Sequence, residues 1–397
     1  MDFGPEIMTA ELRQPKQNGY CTMRIVIIEP YFAGSHAAWA EGYQKYSQHD
    51  IEILSLPGQF WKWRMQGGAV TLARQFLRRS CSADLILATD MLNLPVFLSM
   101  TRHRTATIPT AIYFHENQLS YPWAPQDRDV LHQRHHFYGF INYASALVSD
   151  AVFFNSNYHR TSFLDSLPRL LRFFPDYPEL DTVPQIAAKS QILSLGLDLE
   201  RLKSHSIATP SKTSEPPLLL WNHRWEHDKN PEEFFRALWV LQQRGLDFRV
   251  AILGQNFRNA PVEFEQARQQ LGDKIVQFGF VENMEHYAHW LHRADILPVT
   301  SCHDFFGASI VEAVYCGCYP LLPNRLAYPE IFSIKDFPGN FYYSFEDLIE
   351  KLSIAIKNID SIRKQNYSAV VQKYDWKNMA KIYDERFATV AAKREID

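Results

Sequence analysis

The stretch Ser301-Cys-His-Asp-Phe-Phe-Gly-Ala-Ser-Ile-Val-Glu-Ala-Val-Tyr-Cys-Gly317 carries the densest chemistry in the chain. It follows a short apolar run, breaks at Gly307, continues with helical periodicity through Glu312 and stops at Gly317, a residue suited to closing a helix. The backbone N–H groups around Phe306, Gly307 and Ala308 would be the unpaired donors of a first helical turn, and such a terminus attracts a diphosphate. Asp304 and Glu312 flank that start, one before the turn and one on the helix. Carboxylates so placed accept paired hydrogen bonds from sugar or ribose diols. The structural alternative is an N-capping Asp304 beside an exposed helical Glu312.

A second polar run, Trp221-Asn-His-Arg-Trp-Glu-His-Asp-Lys-Asn-Pro231, places Arg224 and Lys229 just after another apolar segment. Arg offers a planar fork and Lys a point charge, and either could face an anion or pair with the nearby Glu226 and Asp228. Ala33-Gly-Ser-His36 and Tyr113-Phe-His-Glu-Asn-Gln-Leu-Ser-Tyr-Pro122 also sit where apolar runs give way to loops. Gly34 permits close backbone approach to a ligand, and Ser35, His36, His115, Glu116, Asn117 and Gln118 form a dense polar row. A lone histidine is usually structural, but clustering points to a site.

No metal is expected. Asp127-Arg-Asp129 has a D-x-D spacing, yet it follows Pro122-Trp-Ala-Pro-Gln126 instead of an apolar strand, which reads as a charged helix start. His132, His135 and His136, and separately His286, His289 and His292, lack the His-Glu-x-x-His order and an evident further ligand.

These residues act together only if several strands end at one cleft. Arg24–Glu29, Asp84–Thr89, Thr110–Phe114 and Ala151–Phe154 are short apolar runs separated by helix-length amphipathic segments. That pattern predicts a parallel sheet covered on both faces. It restarts with Leu218–Trp221, Phe248–Leu253, Ile275–Phe278, Ala294–Pro298 and Tyr319–Leu322. The expected fold class is α/β, two doubly wound domains whose strand ends face a shared cleft. The expected divisions are a disordered extension over residues 1–22, a first domain over 23–203, a linker over 204–217 rich in Ser, Thr, Pro and Lys, and a second domain over 218–375. Trp376 to Lys393 is expected to be a helix packing back on the first domain, within a final segment 376–397.

A length of 397 residues suits two domains, and 46% hydrophobic with 21% charged residues is a globular balance. A net charge of −3 excludes a global basic field. One local patch exists between Ile53 and Thr110, where Lys62, Arg64, Arg74, Arg78, Arg79, Arg102 and Arg104 face Asp84 and Asp90. It is either a solvated basic face or a nucleic-acid contact. Cys21, Cys81, Cys302, Cys316 and Cys318 are odd in number and form no C-x-x-C pair, so a reduced cytoplasmic setting is expected. No run of about 18 apolar residues suggests a membrane span.

Asp304, seven intervening residues and Glu312 resemble the paired-carboxylate signature of family-4-type retaining GT-B glycosyltransferases, which usually have Glu at the first place. From Met23 to Asp397 the chain resembles a subgroup, the tRNA-queuosine mannosyltransferases and their bacterial relatives. The residues that carry the resemblance are Ile28-Glu-Pro-Tyr-Phe-Ala-Gly-Ser-His36, His115-Glu-Asn-Gln-Leu-Ser-Tyr-Pro122, Phe154-Asn-Ser-Asn157, Asn222-His-Arg224, Asp304-Phe-Phe-Gly307 and Glu312-Ala-Val-Tyr-Cys-Gly-Cys-Tyr-Pro-Leu322.

The resemblance implies GDP-mannose as donor substrate, no further cofactor, the cyclopentenediol of queuosine in a tRNA anticodon as acceptor, and retention at the anomeric carbon. It implies that Gly34, Ser35 and His36 lie by the reacting centre and that His115 touches the donor sugar. Arg224 and Lys229 would hold the diphosphate, Asp304 the sugar and Glu312 the ribose, with the base near Gly254-Gln255 and Gly279-Phe280. Lys62, Arg64, Arg74, Arg78 and Arg79 become candidate tRNA contacts. The resemblance also implies front-face substitution, in which the leaving phosphate assists deprotonation of the acceptor hydroxyl. Two other readings stay open: a GT-B enzyme with a small-molecule or glycan acceptor, and a non-catalytic nucleotide-sugar or RNA-binding protein.

Overall fold

The computed structural model describes residues 22–80, 82–123, 127–204, 215–254 and 261–393. The expected extension, apart from Thr22, most of the linker, Cys81 and Gln255 lie outside the described residues.

Twelve strands form two six-stranded sheets among the described residues. The first contains β1 (Arg24–Phe32), β2 (Asp50–Pro57), β3 (Leu85–Thr89), β4 (Thr110–Phe114), β5 (Ala151–Phe154) and β6 (Ser190–Ile192), in the order β2-β1-β3-β4-β5-β6. The second contains β7 (Leu218–Trp221), β8 (Arg249–Ile252), β9 (Ile275–Phe278), β10 (Ile296–Pro298), β11 (Tyr319–Pro323) and β12 (Phe341–Tyr342), in the order β12-β11-β10-β7-β8-β9. Every pairing is parallel. The apolar pattern of the sequence does not mark β2, β6 and β12, which are a half-exposed or very short edge strand in each case.

The strands are apolar on both faces because both faces are covered. Ile25 and Ile27 enter one apolar cluster and Val26 and Ile28 another, as alternate side chains of β1 must. Leu218 and Leu220 join the same cluster as Ile25 and Ile27, while Leu219 and Trp221 fill a third. One core therefore runs through both sheets' inner faces.

The helix Trp376–Lys393 completes that core from the first domain's side. Trp39 donates to the Tyr383 hydroxyl at 3.1 Å, and the Tyr43 and Ser47 hydroxyls reach Asp384 at 2.9 and 2.6 Å. Trp376 is 1% exposed and lies between two glycines. A Cβ at Gly42 would sit 2.0 Å from its indole nitrogen, and one at Gly196 would sit 2.4 Å from its ring.

Candidate active site

The expected donor side is built where β7, β8 and β10 end. The chain leaves β10 through Ser301–Gly307, and Gly307, at φ 99°, turns it into the helix Ala308–Tyr315. Gly307 supplies no capping side chain, so it leaves the first-turn N–H donors uncapped, the arrangement that suits an anion. Phe306 is buried in the core, which leaves only its backbone for a ligand. The loop after β7 is fastened to this turn: Asn222 donates to the Ser309 carbonyl at 2.7 Å, and His223 Nδ1 lies 3.1 Å from the Ser309 hydroxyl. Gly254 passes beneath that loop, where a Cβ would meet the His223 carbonyl at 2.0 Å.

Lys229 is the buried cation of this pocket, 8% exposed. Its ammonium donates to the His303 carbonyl at 2.7 Å and lies 3.2 Å from Asp228 and 3.8 Å from Asp304. Burial works against the charge, but Asp304 and Asp228 outweigh it and hold its pKa above the ordinary value. The Asp228 carbonyl accepts from Cys302 and His303 N–H groups, which stitches the two loops together. Tyr328 donates to Asp304 at 3.4 Å. Arg224 pairs with Glu226 at 3.2 Å, and its charge is further favoured by Asp228 and by Glu116 of the other domain.

Glu312 stands apart from this cluster. It is half-buried on the helix and accepts from the Tyr287 hydroxyl at 2.8 Å. Confinement among apolar neighbours raises its pKa to about 7, against the pull of that hydrogen bond. The structure thus brings Arg224, Lys229 and Asp304 together and sets Glu312 one step along the helix.

The expected acceptor side lies where β1 and β4 end. Gly34 opens the helix Gly34–Tyr46 at φ 53°, and it and Ser35 are exposed. His36 is buried, with Nδ1 2.9 Å from the Glu29 carboxylate, and stacks on His115 at 4.2 Å between centroids. Burial would discharge the His36 ring, but the Glu29 charge and hydrogen bond, aided by Asp90 and Glu116, push its pKa up to about 9. Burial and then the His36 charge hold His115 well below its ordinary value. A charged ring therefore lies on a neutral one at neutral pH. His115 Nδ1 is 3.4 Å from Asp90, outside hydrogen-bond alignment, and neither of its ring nitrogens has a hydrogen-bond partner. Buried ring nitrogens without a partner are uncommon and mark His115 as a candidate for a role beyond packing.

Several expected residues have structural duties. The Asn117 carbonyl oxygen accepts from Leu119 N, Ser120 N and the Ser120 hydroxyl, which shapes its own loop. Gln118 donates to Glu116 at 3.1 Å and is buried. Lys62 is held by Asp127 at 2.8 Å and Asp129 at 2.6 Å, so the D-x-D acids are partners of a lysine. Arg79 pairs with Glu52, and Arg64 donates to the Pro57 carbonyl at 3.1 Å. Arg74 and Arg78 stay exposed. The patch is thus less basic than its charge count suggested, because its acids come from outside the Ile53–Thr110 window. Asp90, counted within it, is buried under His115 and accepts from that residue's N–H at 2.8 Å.

Tyr287 joins the site without having stood out in the sequence, and Glu29, Asn155 and Ser156, quoted only for the resemblance, and Asp90, counted only in the charged patch, join it although the sequence pointed to no site role for them. Asn155 donates to the His115 carbonyl at 2.9 Å, and Ser156 caps its helix and donates across the cleft to the Phe305 carbonyl at 2.6 Å. One signal was available: an acid ending an apolar strand, as Glu29 does, must find a buried partner. Glu29, His36 and His115 also bring potential metal-ligand atoms within 4.8 Å of one another, a set distinct from the two histidine groups weighed in the sequence. Its Glu29–His36 ion pair already accounts for the geometry.

Residues 24–197 match the family described as tRNA-queuosine alpha-mannosyltransferase N-terminal, and residues 204–370 match glycosyl transferases group 1. A tRNA-queuosine alpha-mannosyltransferase of Drosophila melanogaster is 38% identical over 337 residues, covering 83% of this chain and 85% of that protein. The chain belongs to the tRNA-queuosine alpha-mannosyltransferase family. It is a glycosyltransferase. Its fold is GT-B. A Rickettsia africae glycosyltransferase superposes with a TM-score of 0.65 at 16% identity, covering 94% of this chain and 99% of that one. Sucrose-phosphate synthase from Thermosynechococcus elongatus superposes with a TM-score of 0.64 at 13% identity, covering 93% and 100%. Among the described residues no helix is long and apolar enough to cross a membrane.

Proposed function

We propose that this protein transfers an α-mannosyl group from GDP-mannose to the cyclopentenediol of queuosine in a tRNA anticodon, with retention and without a metal ion, in a reduced cytoplasmic setting. The observation that carries the reading is 38% identity running through both domains to a relative named for that reaction. The geometry supplies the chemistry. The diphosphate rests at the start of the helix Ala308–Tyr315, with Lys229 and Arg224 stabilising the charge that grows as the glycosidic bond breaks. Glu312 takes the ribose hydroxyls and Asp304 the sugar, while His115 offers unpartnered ring nitrogens from the opposite wall. Ser35, His36 and Glu116 border the acceptor. The leaving phosphate takes the acceptor proton, so no protein nucleophile is required, and catalysis is positioning plus electrostatics.

One observation favours a small-molecule or glycan acceptor: Lys62 and Arg79 are tied to carboxylates instead of facing phosphates. Incubation with GDP-mannose and tRNA, with and without queuosine, decides between them. Mass spectrometry of the nucleosides should show a hexose on queuosine only. A hexose on neither tRNA overturns the tRNA reading in favour of the smaller acceptor.

A further inference from the structure

The outer wall of the acceptor side carries two large aromatic rings that the reaction does not use. Phe60 is 73% exposed and Trp63 61% exposed, three residues apart at the start of the helix Trp61–Leu77. The backbone of Phe60 and the ring of Trp63 are held in place. Phe60 has a left-handed backbone, φ 55° and ψ 51°, an uncommon state for an aromatic residue, and its carbonyl accepts from Trp63 and Arg64 N–H groups. Gly67 gives the indole a flat seat, since a Cβ there would lie 2.7 Å from the ring. The turn leading to Phe60 is pressed on the reacting-centre loop, because a Cβ on Gly58 would lie 2.1 Å from that of Ala33.

An aromatic path joins this wall to the cleft. Tyr121 sits 5.7 Å from His303 of the donor side and 6.0 Å from Trp123, which lies 5.4 Å from Trp61. The cation on this path is neutralised, since Lys62 is bound by Asp127 and Asp129. The wall is therefore suited to flat, uncharged faces more than to phosphates.

We propose that Phe60 and Trp63 form a stacking platform for unpaired nucleobases of an RNA loop beside the reacting nucleoside. Single-stranded loop bases stack on aromatic side chains with little regard to sequence, and a rigid, exposed pair next to the reacting centre meets that need. The inference rests on the tRNA reading above, yet its test stands apart from it.

The test measures binding of an anticodon stem-loop RNA, carrying a fluorescent purine analogue next to the modified position, to the full chain and to its Phe60→Ala/Trp63→Ala variant. The Kd should rise at least tenfold in the variant, with GDP-mannose affinity and melting temperature unchanged. Phe60→Tyr should restore part of the loss in the Trp63 background. The slope of log Kd against log salt should stay the same, since no phosphate contact is removed. Equal Kd values, or a slope changed by one or more, overturn the platform. Reduced self-association with unchanged RNA binding also overturns it and assigns the patch to a second copy of the chain. If the unaltered protein binds the stem-loop through these rings but moves no sugar to queuosine-bearing tRNA, the platform stands and the proposed function falls. Undiminished transfer to that tRNA by the variant, with equal binding, means the opposite: the platform falls and the proposed function stands.

Discussion

Lys229 keeps its charge although buried, and the proposed reaction depends on that charge. It is buried, with only Asp228 and Asp304 as counter-ions, and an arriving diphosphate adds the negative charge it is poised to meet. Lys229→Ala should lower turnover about 10²–10³-fold, the usual cost of losing one preorganised group on a developing anion. Circular dichroism should show the fold retained, and unchanged kcat would refute the role. Glu312 gives a pH signature. Only its ionised form accepts from both ribose hydroxyls, so GDP-mannose affinity should rise as pH passes through about 7. Glu312→Gln should flatten that step in isothermal calorimetry. The stability sign is opposite: because burial raises the folded value above the ordinary 4.5, the neutral acid favours folding, and this contribution is full below 4.5 and lost as pH climbs through 7. Glu29, His36 and His115 invite a test of metal dependence. With the Glu29–His36 ion pair as their reason for meeting, prolonged EDTA treatment should leave transfer rates unchanged, and loss restored by zinc would show a metal there. That Arg224, Lys229 and Asp304 would come together was legible because they follow apolar runs that end as strands. The His36–His115 stack was not, since only the pairing of β1, β3 and β4 sets those rings together.

At the scale of elements, small residues decide how closely helices approach the sheets. Gly42 lies inside the helix Gly34–Tyr46, where alanine would ordinarily gain about 1 kcal/mol of helix propensity. Its Cβ would collide with the Trp376 indole, so Gly42→Ala should instead destabilise by about 1–3 kcal/mol, read as a lower denaturation midpoint at constant m-value. A stabilised variant would show that Trp376 can shift. Strands buried on both faces, such as β3 with five fully buried residues, were legible from composition. The edge strand β2 was not, because its Asp-Ile-Glu-Ile-Leu-Ser run mixes polar and apolar residues and lacks the continuous apolar stretch of the inner strands. The polar loops after β4 and β10 were recognisable by composition, but their hydrogen-bond duties were not. Asn117 reads as an acceptor ligand in the sequence because an Asx turn and a binding amide look identical until the donors two and three residues ahead are placed.

For the whole molecule, function depends on two walls facing each other, and a small set of polar contacts crosses between them. Glu330 is exposed on the second domain, and its two oxygens accept from the Asn157 and Tyr158 N–H groups at 2.8 and 2.7 Å. Those are the first N–H groups of the helix Asn157–Phe173, so a carboxylate of one domain caps a helix of the other. Ser156 adds its bond to the Phe305 carbonyl, and His159 stacks on the Phe305 ring at 3.9 Å. This clamp lies beside the turn that leads into the helix Ala308–Tyr315 and beside Asn155, which anchors His115. It therefore ties the position of His115 to the contact between the two domains, and in the proposed reaction would couple their closure to it. Glu330→Ala removes the charge-assisted bonds, worth about 1.5–3 kcal/mol each in a protected setting and less at this exposed one. Small-angle X-ray scattering should show a larger radius of gyration for the variant, and KM for GDP-mannose should rise about tenfold for each 1.4 kcal/mol of closure lost. The melting temperature should change little, because neither domain's core contains Glu330. An unchanged KM together with an unchanged scattering profile would mean that the shared apolar core and the C-terminal helix hold the walls in register without it.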